Sequence, residues 1–130
     1  MTTTPLYFPI AACGGLGNPD AAPYDKRWMV IDEAGAWLAP SHCEKLADIE
    51  VEVSLGYLVM KAPGMLRLDI PLDVIEDDDS VRRQASIGGQ HIDVIDEGEL
   101  AAAWFSRFLG QPCRLVKVHP DAGRVLWPEL

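Results

Sequence analysis

Apolar and polar residues alternate along much of this chain, with a dominant period of two. Ile49, Val51, Val53 and Leu55 alternate with Asp48, Glu50, Glu52 and Ser54. Successive side chains of a strand point to opposite faces, so this pattern predicts a strand with one buried face. Leu66, Leu68, Ile70 and Leu72 alternate with Arg67, Asp69 and Pro71 in the same way. Pro71 has no N–H to give to a ladder, which places that strand at a sheet edge or at a bulge. In a third strand Trp28 and Val30, with Lys26, share one face, while Arg27, Met29 and Ile31 share the other. Asp32-Glu33-Ala34-Gly35 reads as a hairpin turn into Trp37-Leu38. Gly56, Pro63-Gly64 and Gly88-Gly89 supply further turns at strand-length intervals. The fold class expected is mainly β, a β-rich α+β chain built as an antiparallel, partly closed barrel.

One segment breaks the period. Asp96, with Glu99 three residues later, reads as a capping pair in which each carboxylate takes a backbone N–H. Leu100, Trp104 and Phe108 then recur at i+4, with Ala101, Phe105 and Leu109 beside them. Gly110 ends the helix and Pro112 prevents its resumption. The expectation is one helix near the C-terminal end, laid against the β core, followed by a strand over Cys113–Val118. Neither a repeat nor a linker interrupts the pattern, so residues 1–130 are expected to form a single domain.

The chain has 130 residues, 48% of them hydrophobic and 24% charged, which suffices for a core without staples. A net charge of −9 argues against nucleic acid and against an anionic membrane surface as partners. No apolar run approaches the ~18 residues of a membrane span. Met1-Thr2-Thr3-Thr4-Pro5 lacks the basic and apolar regions of a secretion signal, so a cytoplasmic location is expected. Glu76-Asp77-Asp78-Asp79 reads as a solvated loop, because it lacks the spaced ligands of a calcium loop. Three cysteines at wide spacing, Cys13, Cys43 and Cys113, fit reduced thiols better than a disulfide framework.

Four strings occur in a characteristic order: Tyr7-Phe8-Pro9-Ile10, Asp25 to Asp32, Ala62-Pro63-Gly64-Met65 and Glu99 to Gly110. From Pro5 to about Val118 the chain resembles the N-terminal β-barrel domain of MOSC proteins. The resemblance implies a barrel-like domain with a late helix. In that family the domain precedes a MOSC domain that handles sulfur or the molybdenum cofactor, and this chain stops about where the second domain would begin. The resemblance also implies a cofactor site, in which a Lys-Ser pair follows the Pro-hydrophobic element and an Arg follows an Asp on the next strand. Such groups hold a pterin phosphate by charge-assisted hydrogen bonds. Here Ala11 and Ala12 stand in place of the Lys-Ser pair, and Lys26 stands where the Arg would be. Lys26 is thus the one cofactor-binding candidate, and it lacks the bidentate fork of Arg. No bound cofactor is expected, the molybdenum cofactor entering by resemblance alone.

Other motifs carry less. Cys13-Gly14-Gly15-Leu16-Gly17 could cradle a phosphate, but no helix and no Walker Lys-Ser/Thr follows, so a glycine-rich turn is the better reading. His42, His91 and His119 with the cysteines lack the close ligand pairs of a zinc site, and no metal is expected. Cys13 with a histidine base would make a thiol nucleophile, set against an inert thiol in a loop. Arg124-Val125-Leu126-Trp127-Pro128 is apolar, and Trp127 either packs back onto the barrel or joins a contact surface. The functional expectation is a stand-alone, non-catalytic binding or interaction domain. Its alternatives are one half of a split molybdenum-cofactor or sulfur-carrier protein working with a separate MOSC-domain partner, and a thiol protein using Cys13.

Overall fold

In the computed structural model, which describes residues 6–72, 82–119, 122 and 125–127, the alternating segments become strands. They are β1 (Trp28–Asp32), β2 (Glu50–Ser54), β3 (Tyr57–Lys61), β4 (Leu68–Pro71), β5 (Arg82–Ile87), β6 (Gln90–Asp96) and β7 (Cys113–Val118). One α-helix, α1 (Glu99–Leu109), connects β6 to β7. Two antiparallel sheets result, one ordered β1-β7-β6-β5 and the other β2-β3-β4. The four-stranded sheet curls on itself. Ile31 bridges Trp37 and Ala36 bridges Ser86, so the segment after the Asp32 turn links the two outer strands, β1 and β5. The expected mainly β, partly closed barrel with a late helix is therefore what the chain forms.

Alternation on β1 explains why there are two cores. Trp28 and Val30 face a cluster that includes Phe105 of α1, Leu58 and Met60 of β3, and Leu115 of β7. Met29 and Ile31 face a second cluster inside the curled sheet, with Val94, Val116, Ile87 and Trp37. Both faces of β1 are dry, which is why Trp28-Met29-Val30-Ile31 reads as a continuous apolar run. β2 keeps the one-sided alternation that its sequence announces, with Val51 and Val53 against the first cluster and Glu50 and Glu52 outward.

Three leucines depart from the expected pattern. Leu55 occupies the two-residue turn between β2 and β3 with φ +52°, followed by Gly56 at +83°, and is 96% exposed. A hairpin turn of this kind requires left-handed backbone at both positions, so the turn outweighs the period. Leu66 precedes β4 and is 87% exposed, because Trp104 Nε1 donates to its carbonyl at 2.6 Å and holds the loop. Leu100 is 77% exposed, and the buried residues of α1 are Ala101, Ala102, Trp104, Phe105 and Leu109. Other expectations hold. Pro71 lies on an outer strand, β4, and Gly110 closes α1 in the left-handed conformation with its N–H on the Ser106 carbonyl. The acidic stretch 76–79 lies outside the described residues.

The capping pair is half right. Asp96 Oδ1 accepts the Gly98 N–H at 2.8 Å, just ahead of the helix, but Gly98 is the N-cap and Glu99 makes no reciprocal bond. Arg114 draws the Glu99 carboxylate away, with its Nη2 2.7 Å from Oε1. Trp127 packs back onto the barrel. Its ring meets Trp37 edge-on at 5.0 Å, and the Gln90 side chain holds the Leu126 backbone from both sides, at 2.8 and 3.2 Å. The segment around Leu126 thus covers the second cluster. Replacing Trp127 by Ala should lower the unfolding free energy by about 1–3 kcal/mol in urea titrations. A loss below about 0.5 kcal/mol would mean that the ring contributes little to the cover.

Candidate functional site

Residues 8–12 run beside the entry to β1. Ile10 and Trp28 form a parallel bridge, Trp28 N–H donates to the Pro9 carbonyl at 2.9 Å, and Ala11 N–H donates to the Trp28 carbonyl at 2.9 Å. Asp25 fixes the start of this segment by accepting the Phe8 N–H at 2.7 Å, and the Lys26 N–H donates to the Phe8 carbonyl at 2.7 Å. Ala11 and Ala12 are therefore brought beside Lys26 and Arg27, about fourteen residues further along the sequence, on paired backbone.

The side chains there are put to other uses. Ala11 is 0% exposed and its methyl belongs to the second core cluster. Ala12 and Lys26 both take left-handed backbone, φ +76° and +56°. Each costs a non-glycine residue about 1–2 kcal/mol. The turn at Lys26 precedes β1, so Lys26 does not share a strand face with Trp28 and Val30 as the alternation predicts. Its ammonium lies 3.6 Å from the Asp25 carboxylate, with both side chains about one-third exposed. Such an exposed pair contributes at most about 1 kcal/mol. Arg27 has a buried Nε that finds no partner among the described residues. A phosphate grip of the Lys-Ser kind is not available from Ala11 and Ala12, so the residues present do not fit that mode of holding a cofactor.

The glycine-rich turn is explained by packing. Gly14 N–H donates to the Ile49 carbonyl at 2.9 Å, and a Cβ on Gly14 would lie 2.8 Å from that oxygen. A Cβ on Gly15 would lie 2.7 Å from the Phe8 ring. The N–H groups of Cys13 and Leu16 are bonded to the carbonyls of Ile10 and Tyr7. Little is left to cradle an anion.

Cys13 lies in a bend, but its thiol is buried. It is 4% exposed and lies in the first core cluster with Cys43 and Cys113. Burial, then the neighbouring Cys43, pushes its pKa well above the ordinary thiol value. Burial likewise raises the Cys113 thiol, against a partial offset from the Ser106 hydroxyl. The thiolate is the reactive form, so these environments suppress nucleophilic chemistry. His42 and His91 are exposed while the cysteines are buried, so these side chains do not converge. Among the described residues no group of three or more His, Cys, Asp or Glu is arranged to hold a metal ion. In the native protein all three thiols should resist alkylation at pH 8.5, and all should react once the chain is unfolded. Rapid labelling of native Cys13 would restore the nucleophile reading.

Two polar networks were not legible in advance. Asp96, 7% exposed, accepts Arg83 Nε at 2.8 Å and Arg114 Nε at 2.5 Å on one oxygen. Arg83 and Arg114 border a cleft of about 600 Å³ between the Asp32 turn, β5 and α1, with Ser106 and Cys113 in its wall. Its arginines are already engaged by Asp96 and Glu99, which leaves the cleft without a free cation for an anionic ligand. Asp32 Oδ1 is likewise occupied by the N–H groups of Ala34 and Ala36.

The second network surrounds Trp28. Its indole donates to Glu97 Oε2 at 3.0 Å, and the ammonium of Lys117, 4% exposed, stands 5.1 Å from the ring centroid. Lys117 Nζ also donates to the Leu72 carbonyl at 2.5 Å. Burial raises the Glu97 pKa above its ordinary 4.5, opposed by the Trp28 bond and by Lys117. A raised folded-state pKa contributes stability that is full below the unfolded value and is lost as pH rises through the folded one. Glu97→Gln should therefore be more stable than the native chain at pH 7 and lose that advantage below pH 4.5, as read by urea titrations at both pH values. Equal stabilities at pH 7 would show that Lys117 and Trp28 fully offset the burial.

Comparison with known proteins locates this architecture. The sequence matches the MOSC N-terminal beta barrel domain over residues 5–112. It is 33% identical to a molybdenum cofactor sulfurase of Danio rerio over 92% of this chain and 16% of that protein. The human molybdenum cofactor sulfurase is 29% identical over 93% of the chain and 14% of its own length. Mitochondrial amidoxime-reducing component 1 of Xenopus laevis is 27% identical over 88% of the chain and 33% of its length. The chain thus spans a small part of these relatives. The solution structure of a Bordetella bronchiseptica protein superimposes with a TM-score of 0.84 at 61% identity, covering 98% of both chains.

Proposed function

This chain belongs to the MOSC N-terminal β-barrel domain family, and we propose that within it the chain acts as a non-catalytic binding or interaction domain. The observation that carries this reading is the placement of Ala11. At the position of the family's phosphate-gripping pair, the backbone is bonded to Trp28 and the side chain is fully buried in the second core. A lysine there would have to leave the core or strand a charge in it, at a cost of several kcal/mol. The segment that would grip a phosphate is used instead to close the barrel. The chain is expected to work without a molybdenum cofactor of its own.

A second reading keeps the cofactor. In it, this chain is one half of a split molybdenum-cofactor or sulfur-carrier protein whose MOSC domain is carried by a separate partner. The Nε of Arg27, which has no partner among the described residues, and the strained backbone at Lys26 support it, since strain retained beside an unmatched donor is a mark of functional positions. The two readings separate on purified protein from a host that makes the molybdenum cofactor. Oxidation and fluorescence should detect pterin at well under a tenth of the protein concentration, whether or not a MOSC-domain protein is co-expressed. Stoichiometric pterin on the chain alone overturns the first reading. Pterin retained only with the MOSC partner, and lost on Lys26→Met, establishes the second.

A further inference from the structure

Of the exposed leucines Leu6, Leu55, Leu66, Leu100 and Leu126, two share one groove. Leu66 and Leu100, 87% and 77% exposed, stand on opposite rims of one groove of about 320 Å³. Met65 and Ala103 complete its sides, and Trp104 lies beneath, 8% exposed. A single exposed leucine carries no message, but an apolar strip continuous with a buried tryptophan does. The groove is also held in shape. Trp104 Nε1 donates to the Leu66 carbonyl at 2.6 Å, which ties the β3–β4 loop to α1 and turns the Leu66 side chain outward. Preorganisation of this kind removes an ordering cost that binding would otherwise bear.

The groove has one charged residue in its lining, Arg107. In a chain of net charge −9, most arginines that the structure describes are paired: Arg67 with Asp69, Arg82 with Asp93, Arg83 and Arg114 with Asp96. Arg107 makes no ion pair among the described residues. It sits in the last turn of α1, where it complements the helix dipole, and it projects beside an apolar groove. A basic partner would meet a cation here. An acidic one would meet an exposed guanidinium that no carboxylate among the described residues engages.

We propose that the groove between α1 and the β3–β4 loop is a docking site for an amphipathic helical segment of another protein. That segment carries leucine-like anchors and a carboxylate about one helical turn away. The anchor enters between Leu66 and Leu100 above Trp104, and the carboxylate pairs with the Arg107 guanidinium. This inference rests on the interaction-domain reading and names its surface.

The test uses the full chain, isotope-labelled, titrated with synthetic helical peptides of about 18 residues and followed by amide NMR shifts. One peptide bears leucines at i, i+3, i+4 and i+7 with glutamates flanking that stripe, and a second replaces every glutamate by lysine. The acidic peptide should shift residues 64–66 and 100–107 saturably, and Arg107→Glu should weaken it about tenfold. The lysine peptide should show the reverse order, binding Arg107→Glu better than the native chain. Leu100→Ser, at a position already in solvent, should abolish the shifts while leaving the rest of the spectrum in place. Equal binding of both peptides, or no saturable shift, overturns the proposal. So does a shift of the same residues with protein concentration alone, which would assign the groove to a second copy of this chain. Pterin content is read separately, so retained pterin would remove the interaction-domain reading, whereas a silent titration of pterin-free protein removes only the groove.

Discussion

The burial of β1 on both faces is the constraint on which the rest of the structure depends. Trp28 and Val30 belong to the core shared with α1 and the three-stranded sheet, and Met29 and Ile31 belong to the core of the curled sheet. A strand dry on both sides leaves its polar backbone groups no access to water, so both edges must be paired. β7 satisfies one edge across its whole length, and residues 9–11 and 37–38 satisfy parts of the other. The glycine-rich turn, the Asp32 hairpin and the Asp25–Phe8 clasp can each be understood as what lets short segments reach that second edge. Ala11 is small and buried because it lies where the clasp closes the barrel.

Charge is handled with the same economy. The one buried carboxylate of the β6–α1 junction, Asp96, is matched by two arginines and a backbone N–H, which is the condition under which a buried charge is tolerated. Lys117 is likewise buried against Trp28 and a backbone carbonyl, with Glu97 nearby. These networks rivet the two ends of α1's approach to the sheet and explain why the cleft beside them offers little to an anion. Arg107, which makes no ion pair among the described residues, stands out against this background.

Much of the architecture was legible from local pattern. The period-two runs, the glycine turns, the edge proline and the stop at Gly110 each depend on the backbone of a few residues, and each was found where expected. Errors arose where a tertiary contact competed with the pattern. Leu55 lost to hairpin geometry, Leu66 to the indole of Trp104, and the Glu99 cap to Arg114, fifteen residues away. Of the residues singled out for function by family likeness, Ala11, Ala12 and Lys26 lie on neighbouring segments joined by backbone hydrogen bonds. Cys13 does lie in a loop, but the glycines beside it permit close packing against Ile49 and Phe8, so its thiol is buried and its environment favours the inert-thiol reading.

By itself the sequence determined the class of fold, the order of its elements and the family to which the chain belongs, because these follow from spacing and from residues near one another. Only the tertiary structure decided which side chains are available for chemistry. The thiol weighed as a nucleophile, Cys13, is buried, the arginines of the cleft beside the Asp32 turn are engaged by carboxylates, and Ala11 is committed to a core. Availability is a property of three-dimensional neighbours, set by burial and by partners that come from other strands. No alternation of apolar and polar residues along a chain encodes it.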